Sequence, residues 1–203
     1  KQITSVDNQE KIKQHSIHTD ARERVITFTQ DDKPVMALQL RVSNKDVAFR
    51  YMLMPHRGAN SCVVTSENTA YRVADNALTF MAPQSKPMTG FARTAPSYET
   101  KYSLGEPVGR NGWGFGYTFP CLFEVPNADA DKALWIMLSE TGTDGGYVGC
   151  RLLGGNGGEY RIGFPQEGEL NGWGSTSVQM PLPGYTPWRT IMVVDDARKV
   201  LAS

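Results

Sequence analysis

The chain has 203 residues, 21 basic and 21 acidic side chains, and 40% hydrophobic residues. That composition suits a globular domain and excludes wholesale disorder, and the charge balance gives no general pull toward nucleic acid or anionic lipid. No run approaches the roughly 18 apolar residues of a membrane-spanning helix. The three cysteines, Cys62, Cys121 and Cys150, include no CxxC pair, which excludes zinc-finger and thioredoxin-type sites. They fit either one disulfide plus a free thiol or three buried reduced thiols.

The predicted elements are strands. ERVITFTQ at 23–30 is rich in β-branched and aromatic residues, and DDKP at 31–34 makes a turn closed by proline. In VMALQLRV at 35–42, Met36, Leu38, Leu40 and Val42 share one face and Ala37, Gln39 and Arg41 the other, the period of a half-buried strand. The turn SNKD at 43–46 and VAFRYMLM at 47–54 complete an antiparallel meander over 23–54. Shorter strands are expected at 62–67, 77–82 and 99–104. FGYTFPCLFEV at 115–125 is a longer one, in which Pro120 points to an edge or a bulge. Further strands are expected at 132–140, 146–154, 159–164, 175–182 and 188–195. The only helix candidate is the short DDARKVLA at 195–202. Strands joined by Gly- and Pro-rich turns, with no linker between them, predict one all-β sandwich domain over 1–203.

Few residues point to chemistry on their own. The three histidines, His15, His18 and His56, form no HExxH pattern, and no nucleophile elbow, P-loop or dinucleotide fingerprint is present. NGWG occurs twice, at 111–114 and 171–174. It fits either two Asn-Gly turns with a tryptophan packed alongside or two tryptophan-tipped loops that touch a sugar. Glu140 ends the hydrophobic run KALWIMLSE and is followed by TGTDGG, a flexible loop that also carries Asp144. A carboxylate there can ligate a hard cation, pair with a base, or face solvent. One or two such carboxylates cannot complete the six to eight oxygens that calcium takes. Glu99 lies between Tyr98 and Tyr102, an arrangement that serves a sugar, with rings stacking on a pyranose, or an ordinary ion pair. Glycosidase chemistry needs two carboxyl groups facing each other across the scissile bond. No spacing ties Glu124, Glu140, Glu167 or Glu169 into such a pair. A mutarotase would need His56 and Glu140 to converge on a sugar ring.

The C-terminal part, GYTPWRTIMVVDDARKVLAS at 184–203, resembles the segment that closes the N-terminal domain of glycoside hydrolase family 97. The matching residues are Thr186, Pro187, Trp188 and Arg189, then Asp195, Asp196 and Ser203. WIMLSETGTDGGYVGCRL at 135–152, VSNKDVAFRYML at 42–53 and SYETKY at 97–102 are similar to other segments of that family, in the same order. The resemblance implies a β-super-sandwich of the galactose-mutarotase-like kind, followed by a (β/α)8 barrel of the same polypeptide. It implies hydrolysis of α-glucosides or α-galactosides, an α-linked oligosaccharide as partner, and a periplasmic or secreted location. It also implies calcium in the sugar site, with Glu140 as the one ligand from this domain. Tyr98, Glu99 and Trp113 are the expected substrate contacts. The general acid and the base or nucleophile belong to the barrel, so this chain is expected to hold no catalytic residue and to be inactive alone. The family's upstream W-x-x-x-W-G element has no counterpart before residue 30, and the chain reads as an incomplete N-terminal domain of a larger enzyme. The rival readings are a free-standing carbohydrate-binding module, with Trp113, Trp173 or Tyr98 carrying affinity, and a structural domain that gains a protein partner.

Overall fold

In the computed structural model, which describes residues 1–8, 16–87, 96–127 and 132–200, the polar opening segment is already β-structure. β1 (Gln2–Asn8) and β2 (Ser16–Gln30) run antiparallel from Gln2↔Arg22 to Asn8↔Ser16. β3 (Lys33–Ser43) and β4 (Asp46–Leu53) continue the meander as predicted. The sheet then leaves sequence order. β4 pairs with β15 (Trp188–Val194), β15 with β10 (Leu134–Thr141), and β10 with β9 (Tyr117–Val125). Beyond β9 come β11 (Arg151–Gly154), β12 (Glu159–Gly163) and β6 (Ala70–Arg72). The other edge of β9 takes β7 (Leu78–Pro83), which carries β8 (Ser103–Pro107) outside it. β14 (Gly184–Tyr185) adds to β4, and β13 (Val178–Pro181) pairs with β5 (Ser61–Val64) as a separate ribbon. The short helix α1 (Ala197–Val200) follows β15.

The long sheet folds over on itself, because both halves carry an apolar face that must leave water. Phe49 of β4 lies 6.5 Å from Tyr71 of β6, and Phe123 of β9 lies 5.1 Å from Tyr160 of β12, ring centre to ring centre. Met81, Leu138, Leu152 and Met180 fill the space between the layers. The architecture is the all-β antiparallel super-sandwich expected.

Pro120 lies inside a central strand, at a bulge, one of the two places expected for it: the register of β9 against β7 shifts between Leu122 and Thr118, and on the other side β9 exchanges its partner β10, paired from Cys121 onward, for β11, paired at Tyr117 and Thr118. Three details depart from the sequence reading. The strand expected at 99–104 begins only at Ser103, and Glu99 lies in a loop whose N–H donates to the Pro96 carbonyl. The strand expected at 146–154 begins at Arg151, because the preceding residues wrap around Glu140 instead. On β3 the expected division into apolar and polar faces does not hold. Val42 is 50% exposed on the apolar face, whereas Ala37 on the other is fully buried. Trp188 and Tyr185 cover that second face. The Arg41 and Arg50 guanidinium carbons lie 4.4 and 4.5 Å from the Trp188 ring centre, and Arg50 also stacks on Tyr185 at 4.2 Å.

Candidate functional site

Two strands and one loop bring three charged side chains together. Cross-strand register sets Glu140 of β10 directly opposite Arg189 of β15. Each shares its strand's apolar face, Glu140 with Ile136 and Leu138, Arg189 with Ile191, so both point into the sandwich. Glu67, from the loop after β5, completes the group. Arg189 is fully buried. Its Nε and Nη2 donate to the two Glu67 oxygens at 3.0 and 2.6 Å, and its Nη1 donates to Glu140 Oε2 at 2.5 Å. The remaining acceptors are also used. Glu140 Oε1 accepts the Cys150 N–H at 3.0 Å. Glu67 accepts the Thr69 hydroxyl at 2.8 Å and the Tyr147 hydroxyl at 3.2 Å.

Two carboxylates share one guanidinium, which leaves one negative charge uncompensated in a partly buried place. Burial holds the Glu140 carboxyl above its ordinary value, against the opposing pull of the Cys150 N–H and Arg189. Burial alone would lower the Arg189 value, but the hydrogen bonds to Glu67 and the attraction of Cys150, Glu67 and Glu140 raise it, so the guanidinium stays charged. The Cys150 thiol is pushed up to about 12, chiefly by burial, which removes it as a nucleophile at neutral pH. Both carboxylates bind the same arginine rather than facing each other across a cleft, so they are not a glycosidase acid–base pair.

Beside this group opens a cleft of about 410 Å³. It is lined by Gln84, Tyr98, Thr118, Cys150, Arg151, Glu169 and Leu170. Cys150 belongs to both places, because it lines the cleft while its N–H holds Glu140. A larger hollow of about 570 Å³ lies at the opposite end of β10 and β15, near Leu134 and Val194, and holds none of the expected site residues.

The expected residues therefore separate. Glu140 and Tyr98 are joined through Cys150, and Tyr98 is 54% exposed in the cleft. Glu99 is exposed but does not line the cleft. Trp113, 60% exposed, sits at the tip of the 111–115 turn, outside the cleft. That turn is tied to the cleft wall by the Gln84 N–H donating to the Gly116 carbonyl at 2.8 Å and by Arg151 donating to the Phe115 carbonyl. The second NGWG follows a different course, ending a 3-10 turn at Glu169–Gly172 that leaves Trp173 91% exposed. Asp144 caps its own loop by accepting the Gly146 N–H at 2.7 Å. His15 lies outside the described residues, and among those described no three His, Cys, Asp or Glu side chains converge as a metal centre. All three cysteines are free thiols.

Sequence reasoning gave no role to Glu67, Arg189 or Glu169. Arg189 and Glu140 carried a signal, since each is a charge at the end of a strand's apolar face. Glu67, 122 residues from Arg189 in an irregular loop, carried none.

The family model described as "Glycosyl-hydrolase 97 N-terminal" matches residues 1–203. The chain belongs to this family. Among solved structures, a beta-arabinopyranosidase superposes with a TM-score of 0.86 at 40% identity, covering 96% of this chain and 31% of that one. A glycoside hydrolase family 97 enzyme from Pseudoalteromonas sp. strain K8, in complex with panose, gives a TM-score of 0.73 at 18% identity, over 99% of this chain and 28% of that one. The same enzyme in complex with acarbose gives 0.71 at 18% identity, over 97% and 27%. The chain thus spans about a third of the length of these proteins. A comparison with curated proteins gives no match. In this family 97 N-terminal domain the TPWR motif acts structurally. The Thr186 hydroxyl accepts the Tyr51 N–H at 3.0 Å, Trp188 carries the Arg41 and Arg50 guanidinium groups over its ring, and Arg189 ties Glu67 to Glu140.

Proposed function

We propose that this domain is the N-terminal part of a glycoside hydrolase, that it packs on a (β/α)8 catalytic domain of the same polypeptide, and that it forms one wall of the sugar site. The observation that carries this reading is Glu140, the second carboxylate on a single guanidinium, placed at a strand end with 12% of its side chain exposed. Its uncompensated charge suits a cation. The residues present fit calcium only as a contributor. Calcium takes six to eight oxygens, this chain offers one carboxylate, and the other ligands would come from the catalytic domain. When bound, calcium would polarise the substrate. Within this chain, Arg189 and the Cys150 N–H orient the Glu140 carboxylate, and no group of this chain serves as acid, base or nucleophile. The whole protein would act in the periplasm or outside the cell.

The substrate is a galacto-configured pyranoside in preference to an α-glucoside. The structure at 40% identity is a beta-arabinopyranosidase, whereas the one in complex with panose stands at 18%. L-Arabinopyranose repeats the ring configuration of D-galactose and lacks only the hydroxymethyl group. α-Galactosides and β-arabinopyranosides are thus the substrates to try first. In the full-length protein, Glu140→Gln is expected to lower both glycosidase activity and bound calcium, measured by metal analysis. A variant with wild-type values of both would remove the reading. A second reading, a free-standing carbohydrate-binding module, is favoured by the exposure of Trp113 and Trp173, at 60% and 91%. It predicts that this chain alone is retarded in an affinity gel containing galactan.

A further inference from the structure

We infer that Asn156 is a site of spontaneous deamidation, at which the exposed tip of the β11–β12 hairpin converts to aspartate and isoaspartate. Asn-Gly, the pair most open to this reaction, occurs three times in the chain, at Asn111, Asn156 and Asn171. The backbone nitrogen of the glycine attacks Cγ of the asparagine. A C–N bond forms, the bond from Cγ to Nδ2 breaks, and the glycine N–H proton leaves with the amide nitrogen as ammonia. Water then opens the five-membered imide at either carbonyl. One opening restores the backbone as aspartate, and the other routes it through the side-chain carbon as isoaspartate. Glycine has no Cβ to block the approach. No co-reactant beyond water enters, so the fold sets the rate: the asparagine side chain must be free to turn, and the glycine N–H free to react.

The structure sets Asn156 and Asn111 in opposite states. Asn156 and Gly157 are both exposed, between β11 and β12. Among the described residues the Asn156 side-chain amide has no hydrogen-bond partner, and the Gly157 N–H donates to none. Asn111 is held at both ends of its amide, with Oδ1 accepting the Gly154 N–H at 2.8 Å and Nδ2 donating to the Gly114 carbonyl at 3.1 Å. Its own carbonyl accepts the Gly114 and Gly116 N–H groups at 2.9 and 3.2 Å, which fixes the backbone as well. Closing the imide at Asn111 breaks the two side-chain bonds; at Asn156 it breaks none. The Asn156 product also reaches the core. Gly158 is buried, its carbonyl accepts the Val73 N–H at 2.9 Å, and a Cβ on it would lie 2.5 Å from the Val73 carbonyl oxygen. Isoaspartate lengthens the backbone two residues before this contact, where the tip has no room to shift toward Val73. Val73 follows β6, and Thr69 before β6 holds Glu67 through its hydroxyl. Conversion at the hairpin tip therefore loosens the segment next to the Arg189 group.

The test incubates the full-length protein at mildly alkaline pH, folded and in concentrated urea, and follows each Asn-Gly peptide by mass spectrometry, with isoaspartate separated by chromatography. In the folded protein Asn156 is expected to convert about thirtyfold faster than Asn111, the factor that two net hydrogen bonds supply. In urea the two rates are expected to be equal. An Asn156 peptide that stays unconverted until urea is added, a folded-state ratio near one, or a ratio that urea leaves unchanged each overturns the inference; the last would trace the difference to local sequence. The converted fraction, separated by its added negative charge, then tests the reach of the change. Faster hydrogen exchange at the Val73 N–H supports the coupling to the core, and unchanged exchange overturns that part.

Discussion

Arg189 and Glu67 are 122 residues apart in the chain and form a two-bond fork, at 3.0 and 2.6 Å, with side-chain exposures of 0% and 5%. A guanidinium taken this far out of water is tolerated only because every side of it meets an acceptor. Removing it strands two carboxylates. Arg189→Met is therefore expected to destabilise the domain by about 3–5 kcal/mol, the usual cost of breaking a buried ion pair from one side. Urea unfolding at neutral pH measures this. Arg189→Lys should recover only a minor share, since an ammonium cannot reproduce the planar fork. A loss below about 1 kcal/mol would place the pair among surface bridges of little consequence.

Glu140 gives the same group a pH signature. Its folded value is raised by burial, so between the ordinary glutamate range and that raised value the folded domain keeps a proton that the unfolded chain has released. Stability then falls as pH rises through that window, because the native state binds more protons. Below the ordinary glutamate range this stability is fully present, and it is lost as pH rises through the raised folded value. Glu140→Gln removes it, so the stability of the wild type minus that of the variant should decrease as pH rises from the ordinary glutamate range. Thermal melts across that range check the sign. A difference that increases with pH would mean that Arg189 and the Cys150 N–H outweigh burial.

The legibility of this molecule follows the source of each signal. The 23–54 meander was readable because Phe28, Met36, Leu38 and Leu40 alternate with polar or small residues. β1 and the first half of β2 were not, because QITSVDN and SIHTDARE show no period-two apolar pattern; the pairing there is a backbone ladder with a cross-strand bond from the Thr4 hydroxyl to Asp20. β6 and β14 are three and two residues long, too short for any period to show. Two of the three charged residues were legible: Arg189 and Glu140 end apolar faces, and strand register then sets them opposite each other. The Glu67 contact and the cleft depend on long-range packing of loops, which leaves no local pattern. The polar face of β3 misled for a similar reason, since the ring that covers Arg41 comes from the C-terminal strand β15.

The stack on that face predicts a further result. Trp188 has the Arg41 and Arg50 guanidinium groups at 4.4 and 4.5 Å. Each cation–π contact at a partly exposed site contributes about 0.5–1 kcal/mol. Trp188→Leu keeps much of the apolar bulk and loses both contacts, so a destabilisation of about 1–2 kcal/mol is expected. Arg41→Met in the Trp188→Leu background should cost less than it does in the wild type. Additive costs in that double-mutant cycle would show that the rings merely fill space.

The last prediction concerns the turn that carries Trp113. Gly154 of β11 donates its N–H to Asn111 Oδ1 at 2.8 Å, and Asn111 Nδ2 donates in turn to the Gly114 carbonyl at 3.1 Å. The backbone of the turn passes so close that a Cβ on Gly154 would lie 1.7 Å from the Arg110 carbonyl oxygen and 3.0 Å from the Asn111 Cα. Neither atom belongs to a flexible side-chain end, so the turn itself must move and its two Asn111 bonds must lengthen. Gly154→Ala is therefore expected to cost about 3 kcal/mol, the upper part of the overpacking range, and to shift the emission of Trp113. Gly145 is the internal control, with nothing within 4 Å of its Cβ position. Gly145→Ala should change stability by no more than about 0.5 kcal/mol. Equal losses in the two variants would show that the cost comes from replacing a glycine as such, and that the turn is not seated on β11 by contact.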